Sequence, residues 1–232
     1  MPVAKAIQAQ QLARRALELT RAGLRPGQTL VDVRSACEAH LLRLGADSFW
    51  YWGIGAFVFA GRDTVRSVSG RDYVTPDYVL SDNELLTLDL SPELDGRWGD
   101  YARTLVLERG VPLIDPLEAS DPEWQAGILV ERLLHERLLE IARPAMTFSD
   151  LAETMNGEIE ALGYENLDFR GNLGHSIAQS LDQRVYLESG NTARLDSVGS
   201  FTFEPHVRRV GGGFGYKRED IYRFRAGRLS IV

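Results

Sequence analysis

"LLTLDLSPELDGRWGDYARTLVL", residues 85–107, places two strand-like runs on either side of Asp95-Gly96. That dipeptide is a strong two-residue turn signal. The stretch therefore reads as a hairpin in which paired residue numbers sum to 191. Leu94 then pairs with Arg97, Asp89 faces Ala102, and Asp100 faces Ser91. Positions two apart in a strand share a face, so Asp89 and Asp100 share one, as diagonal neighbours roughly 7–8 Å apart. Both acids lie within apolar runs, where a lone carboxylate is costly to bury.

The end of the chain repeats the pattern. Residues 199–224, "GSFTFEPHVRRVGGGFGYKREDIYRF", form a second strand–turn–strand. A turn at Gly211-Gly212 makes paired numbers sum to 423 and sets Glu204 opposite Glu219. Like charges directly opposite each other are destabilising, and a cation between them reverses that sign. The plain alternative is that each pair is solvated or bridged to Arg103 or Arg218. Two acid pairs in matching places favour the cation, and oxygen ligands suit hard ions such as manganese or magnesium.

The rest of the chain also reads as a duplication. Residues 3–23 have the periodicity of an amphipathic helix. Residues 25–46 give a second, opened by Pro26-Gly27 and capped by Thr29-x-x-Asp32, with an apolar stripe of Leu30, Val33, Cys37 and Leu41. A shift of 118 residues aligns this segment with 143–164, matching Arg25, Pro26, Thr29, Asp32, Leu44 and Gly45 with Arg143, Pro144, Thr147, Asp150, Leu162 and Gly163. The stripe recurs as Phe148, Leu151, Met155 and Ile159, and a further helix at about 121–142 precedes it. The order helix, helix, strands occurs twice, with residues 108–122 as the connection. This predicts an α+β fold of two similar halves sharing one curved antiparallel sheet, with 1–232 as a single domain.

Composition bounds the function. At 232 residues and 44% hydrophobic content the chain can bury a substantial core. A net charge of −7 leaves no basic surplus for nucleic-acid phosphates. Cys37 is the single cysteine, which excludes an internal disulfide and a zinc–thiolate cluster. No apolar run approaches a membrane span, and the first twenty residues lack the apolar core of a signal peptide. A soluble cytoplasmic protein is the expectation.

Four histidines are available as nitrogen ligands. His40 and His135 fall within predicted helices. His175, in the glycine-bearing "RGNLGHSIAQS", is the candidate ligand. His206 follows Glu204 by two residues and is the candidate acid–base or substrate contact. The aromatic run "SFWYWGIGAFVFAG" (48–61) reads as a core strand or as a pocket wall, with Trp50, Trp52 and Phe57 as its substrate-facing candidates. "VGGGFG" lies between strands and reads as a turn.

These motifs resemble those of the pita-bread metallohydrolases, the family of methionine aminopeptidase, proline dipeptidase, aminopeptidase P and creatinase. "DYARTLVL" is similar to the family's Asp-x-Thr-Arg-Thr, "FTFEPHV" to Phe-Thr-x-Glu-Pro-Gly, and "GYKRED" to the Gly-Val-Arg-Ile-Glu-Asp of the proline-peptidase branch. The resemblance implies two divalent ions, manganese first and cobalt, zinc or iron as alternatives. It implies Asp89, Asp100, His175, Glu204 and Glu219 as their ligands, with Asp100 and Glu219 bridging. A hydroxide between the metals would attack the scissile carbonyl, with Glu204 as proton shuttle. The implied substrate is a small Xaa-Pro peptide or another small molecule, with no nucleic-acid or membrane partner. A homodimer is the assembly typical of the branch. The chain departs from the pattern in several places, including Ser176 and Ala178 for the glycines after His175 and His206 where glycine is usual. Asp182 stands where a second histidine is usual, seven residues after His175. The loop 59–70 has no histidine, Ala102 replaces threonine, and Lys217 replaces arginine. These departures motivate the alternatives of a lyase or amidinohydrolase acting on a small metabolite, or of a catalytically weak homologue. The branch's N-terminal domain is not expected here.

Overall fold

The computed structural model describes residues 2–232, with side chains from Lys5 onward. The first half opens with α1 (Pro2–Ala22) and α2 (Leu30–Leu44). Its strands are β1 (Ser48–Phe49), β2 (Ala56–Ala60), β3 (Glu84–Leu90), β4 (Pro92–Leu94), β5 (Arg97–Trp98), β6 (Tyr101–Glu108) and β7 (Val111–Pro112). The second half opens with α3 (Pro122–Ile141) and α4 (Phe148–Ala161). Its strands are β8 (Tyr164–Asn166), β9 (Phe201–Phe203), β10 (His206–Arg209), β11 (Gly215–Lys217), β12 (Asp220–Arg225) and β13 (Arg228–Ile231).

The duplication is visible atom by atom at the helix starts. Thr29 accepts from Asp32 N–H, and Asp32 accepts in return from Thr29 N–H. Thr147 and Asp150 make the same reciprocal pair. Each such box satisfies two otherwise orphaned donors of the first turn. Leu30 N–H then donates to Tyr78 O, and Phe148 N–H to Ala193 O, which anchors each helix to its own half in the same way. Both apolar stripes are buried. They supply two cores, one beneath α1 and α2, the other beneath α3 and α4. Gly127 of α3 lets Tyr216 lie against the helix backbone, because a Cβ there would stand 2.1 Å from the tyrosine ring.

Both hairpins keep the predicted registers. Leu94 pairs with Arg97 and Asp89 with Ala102. In the second, His206 pairs with Lys217 and Asp220 with Phe203, every pair summing to 423. The turn itself is closed by Gly212 N–H donating to Arg209 O, so Val210 and Gly211 form its corners rather than Gly211 and Gly212. Gly211 takes φ +75°, a conformation that glycine adopts without steric cost. The strands form antiparallel ladders in the orders β2-β3-β6-β7, β1-β4-β5, β11-β10-β8 and β13-β12-β9. The halves meet where Glu219 N–H donates to Ala102 O, 3.0 Å. This joint brings the two acid-bearing hairpins together.

Candidate metal centre

Asp100 and Glu219 are held through their backbones by other elements. The Gln10 side-chain amide of α1 donates to Asp100 O (2.7 Å) and accepts from Asp100 N–H (2.8 Å). The bond from Glu219 to Ala102 aligns the second hairpin beside the first. His175 lies on an extended segment held by Thr202, whose N–H donates to His175 O, 2.7 Å. That approach requires Gly174, since a Cβ there would lie 2.2 Å from Thr202 O.

The side chains then converge. Asp89, Asp100 and Glu219 each offer a carboxylate oxygen, and these oxygens lie within 4.8 Å of one another. His175 Nε2 is 3.4 Å from Asp100 Oδ2 and 3.8 Å from Glu204 Oε1. His175 Nδ1 donates to Ser176 O, 3.0 Å, so Nε2 presents its lone pair to the acids. Lys217 Nζ reaches Asp89 Oδ2 at 2.5 Å and Glu204 Oε2 at 3.1 Å.

Asp100 Oδ2 and both carboxylate oxygens of Glu219 are buried with no hydrogen-bond partner. Such atoms are rare in folded proteins because each costs its full desolvation penalty. Burial, with the neighbouring carboxylates adding to it, pushes the Asp100 and Glu219 carboxyls well above the usual range. Oxygen donors in a buried cluster, with one imidazole nitrogen beside them, fit a hard or borderline divalent cation. Glu204 is different. Burial alone would raise its pKa, but Lys217 and His175 pull it below the ordinary value.

Asp89, Asp100 and Glu204 line a cavity of about 440 Å³. Trp50, Trp52 and Phe57 line it as expected, and Tyr51 joins them. Trp50 is edge-on to His175 with ring centroids 5.5 Å apart, stacks on Trp98 at 4.4 Å, and donates from Nε1 to Gly99 O. Strand alternation divides the aromatic segment. Ala56, Val58 and Ala60 face the first core, while Phe57 and Phe59 pack with Tyr73 on the other side.

Two expected site residues lie elsewhere. Asp182 is exposed and does not line the cavity. Arg184, two residues on, does so instead, its guanidinium set against the rings of Trp50, Tyr51 and Tyr186 at 5.1–5.7 Å. His206 is buried, its Nε2 bonded to Thr64 O at 2.7 Å, and burial holds its pKa down to about 4. It is a packed, neutral imidazole outside the cavity lining. Counting by twos from Glu204 fails because Pro205 separates β9 from β10, which belong to different ladders. Arg71 and Arg170 also border the cavity, and Ser67 and Ser69 come from the histidine-free loop. The arginines carried no sequence signal beyond their charge. Lys217 stands two residues from Glu219, but the break between β11 and β12 separates them, so alternation does not place it either.

Residues 4–226 match the model of metallopeptidase family M24. The chain belongs to that family. A methionine aminopeptidase of Helicobacter pylori strain J99 is 28% identical over 212 residues, 87% of this chain and 78% of the relative. Among solved structures, the fold is shared with an X-Pro aminopeptidase from Thermotoga maritima MSB8 (TM-score 0.81, 20% identity, 99% of this chain and 60% of that one). It is shared too with a prolidase from Pyrococcus horikoshii OT3 (0.82, 17%, 99% and 61%) and a methionine aminopeptidase from Thermotoga maritima (0.77, 18%, 99% and 95%). The chain thus has the pita-bread fold of M24 enzymes, and spans about three-fifths of the length of the prolidase and X-Pro aminopeptidase chains it matches. Among the described residues no helix is long and apolar enough to cross a membrane.

Proposed function

We propose that this family M24 chain is a divalent-metal-dependent peptidase that cleaves short peptides at an Xaa-Pro bond. The observation that carries this reading is the set of three partnerless buried oxygens on Asp100 and Glu219, with Asp100 and His175 lining the cavity. Asp89, Asp100 and Glu219 would hold a divalent ion, with His175 Nε2 as a further ligand, and such an ion would supply a more acidic water and a Lewis acid for the carbonyl. Glu204, kept ionised by Lys217, takes the proton of the attacking water at Oε1 and returns it to the departing proline nitrogen. The flat faces of Trp50, Tyr51 and Phe57 offer a pyrrolidine ring an apolar wall, and Arg184 offers its carboxylate a charge held in place by aromatic rings.

One observation favours a second reading. Of the four imidazoles only His175 lines the cavity, and the guanidiniums of Arg71, Arg170 and Arg184 surround it. That wall suits hydrolysis or elimination on a small anionic metabolite. The test is proline release from Ala-Pro and Gly-Pro with manganese or cobalt, against a chelated control and a panel of small carboxylates. Metal-dependent proline release is expected. If metal-loaded protein cleaves no dipeptide or tripeptide, the peptidase reading fails; turnover of a carboxylate alone would establish the second.

A further inference from the structure

We propose that Lys217 is a resident cation of the centre, filling the place of a second metal, so that the protein binds one divalent ion per chain. The inference rests on the metal-dependent reading above and concerns how many ions that reading involves. Nζ lies between Asp89 Oδ2 and Glu204 Oε2, at 2.5 and 3.1 Å. The ammonium thus bridges a carboxylate of the first hairpin and one of the second.

The lysine is held at this place by the sheet. Lys217 pairs with His206 across β10–β11, and its N–H donates to Thr104 Oγ1 at 2.9 Å. Thr104 Oγ1 in turn donates to buried Glu131 Oε2 at 2.8 Å. So anchored, the side chain reaches the carboxylates of Asp89 and Glu204. The side chain is 17% exposed, against 22% for Asp89 and 18% for Glu204, so the three are withdrawn from water together.

The oxygens left over suffice for one ion. Asp100 Oδ2 and the two Glu219 oxygens are free of hydrogen bonds, and the ligand atoms of Asp89, Asp100 and Glu219 cluster. Paired ions in two-metal sites stand about 3.5–4 Å apart. A second one on the Glu204 side would have to settle against the ammonium.

The experiment counts metal. The full chain is dialysed against a graded series of Mn²⁺ concentrations, and bound manganese per chain is read by elemental analysis and by calorimetric titration. The native protein is expected to saturate at one ion and Lys217→Met at two. Two ions on the native protein, at affinities within tenfold of each other, would overturn the proposal and leave the metallopeptidase reading standing. One ion on both native protein and Lys217→Met would overturn it as well, since the lysine would then exclude nothing. No bound manganese at all would overturn the inference and the metal-dependent reading together. Should Lys217→Met fail to fold, Lys217→Gln serves in its place, and the native count alone can still overturn the proposal.

Discussion

Glu219 and Asp220 are neighbours in sequence and opposites in chemistry. Glu219 meets the carboxylates of Asp89 and Asp100, buried, with both oxygens unpartnered. Asp220, the first residue of β12, is saturated by arginines instead. Arg103 grips it with two bonds at 2.8 and 2.9 Å, and Arg14 and Arg218 approach within 3.4 and 3.5 Å. Arg103 also donates to Glu219 O and Ala102 O, tying the joint between the halves. One carboxylate waits for a ligand that no side chain provides; the other has every partner it needs from the protein. The first pattern belongs to binding and the second to stability, and substitutions should separate them.

The largest effect is expected at Glu219. Glu219→Gln removes an ion ligand and should lower kcat/KM for Xaa-Pro cleavage by on the order of 10³-fold. Its metal-free unfolding midpoint should not fall, because an uncompensated buried charge is removed. A variant that loses stability and keeps activity would reverse the comparison. Next comes Asp220. Asp220→Asn leaves Arg103 buried without its partner and should cost about 3–5 kcal/mol in urea unfolding. The surviving fold should still bind manganese.

A third test uses pH. His135 on α3 is buried, its Nδ1 bonded to Tyr222 Oη at 2.6 Å and its Nε2 to Arg218 O at 3.0 Å, and burial holds its pKa down to about 3. The unfolded chain titrates near 6.5. Between those values the unfolded state binds the extra proton. Stability should therefore be intact above about pH 6.5 and fall by a few kcal/mol as pH drops toward 3. His135→Gln should flatten that slope in urea midpoints measured across the window; an unchanged slope would remove His135 as its source. The smallest effect belongs to the duplicated caps. Thr29→Ala and Thr147→Ala should each cost about 1 kcal/mol. Matching losses would show that the two halves use their boxes alike.

The hairpins were legible in the sequence because Asp95-Gly96 and the Pro205 to Glu219 run leave little freedom in register, and register decides which acids meet. The helix pairs were legible through their caps and stripes. The readings that failed did so where local rules end. His206 was assigned by alternation across a proline that breaks the strand. Asp182 was assigned by a spacing transferred from the resemblance, whereas here that segment is a short 3₁₀ turn, Leu181–Gln183, that exposes it and turns Arg184 inward. Lys217 was readable only as a lysine where the resemblance has an arginine. The reach of its long side chain to Asp89, 128 positions away, emerges only when the two halves close.

Trp50 carries a last consequence. Its indole is edge-on to His175 and bonded to the carbonyl just before Asp100. The centre has an optical gauge built into its wall: filling the cage, or emptying it, alters the surroundings of a fluorophore the chain already owns, so occupancy can be followed in real time without a label.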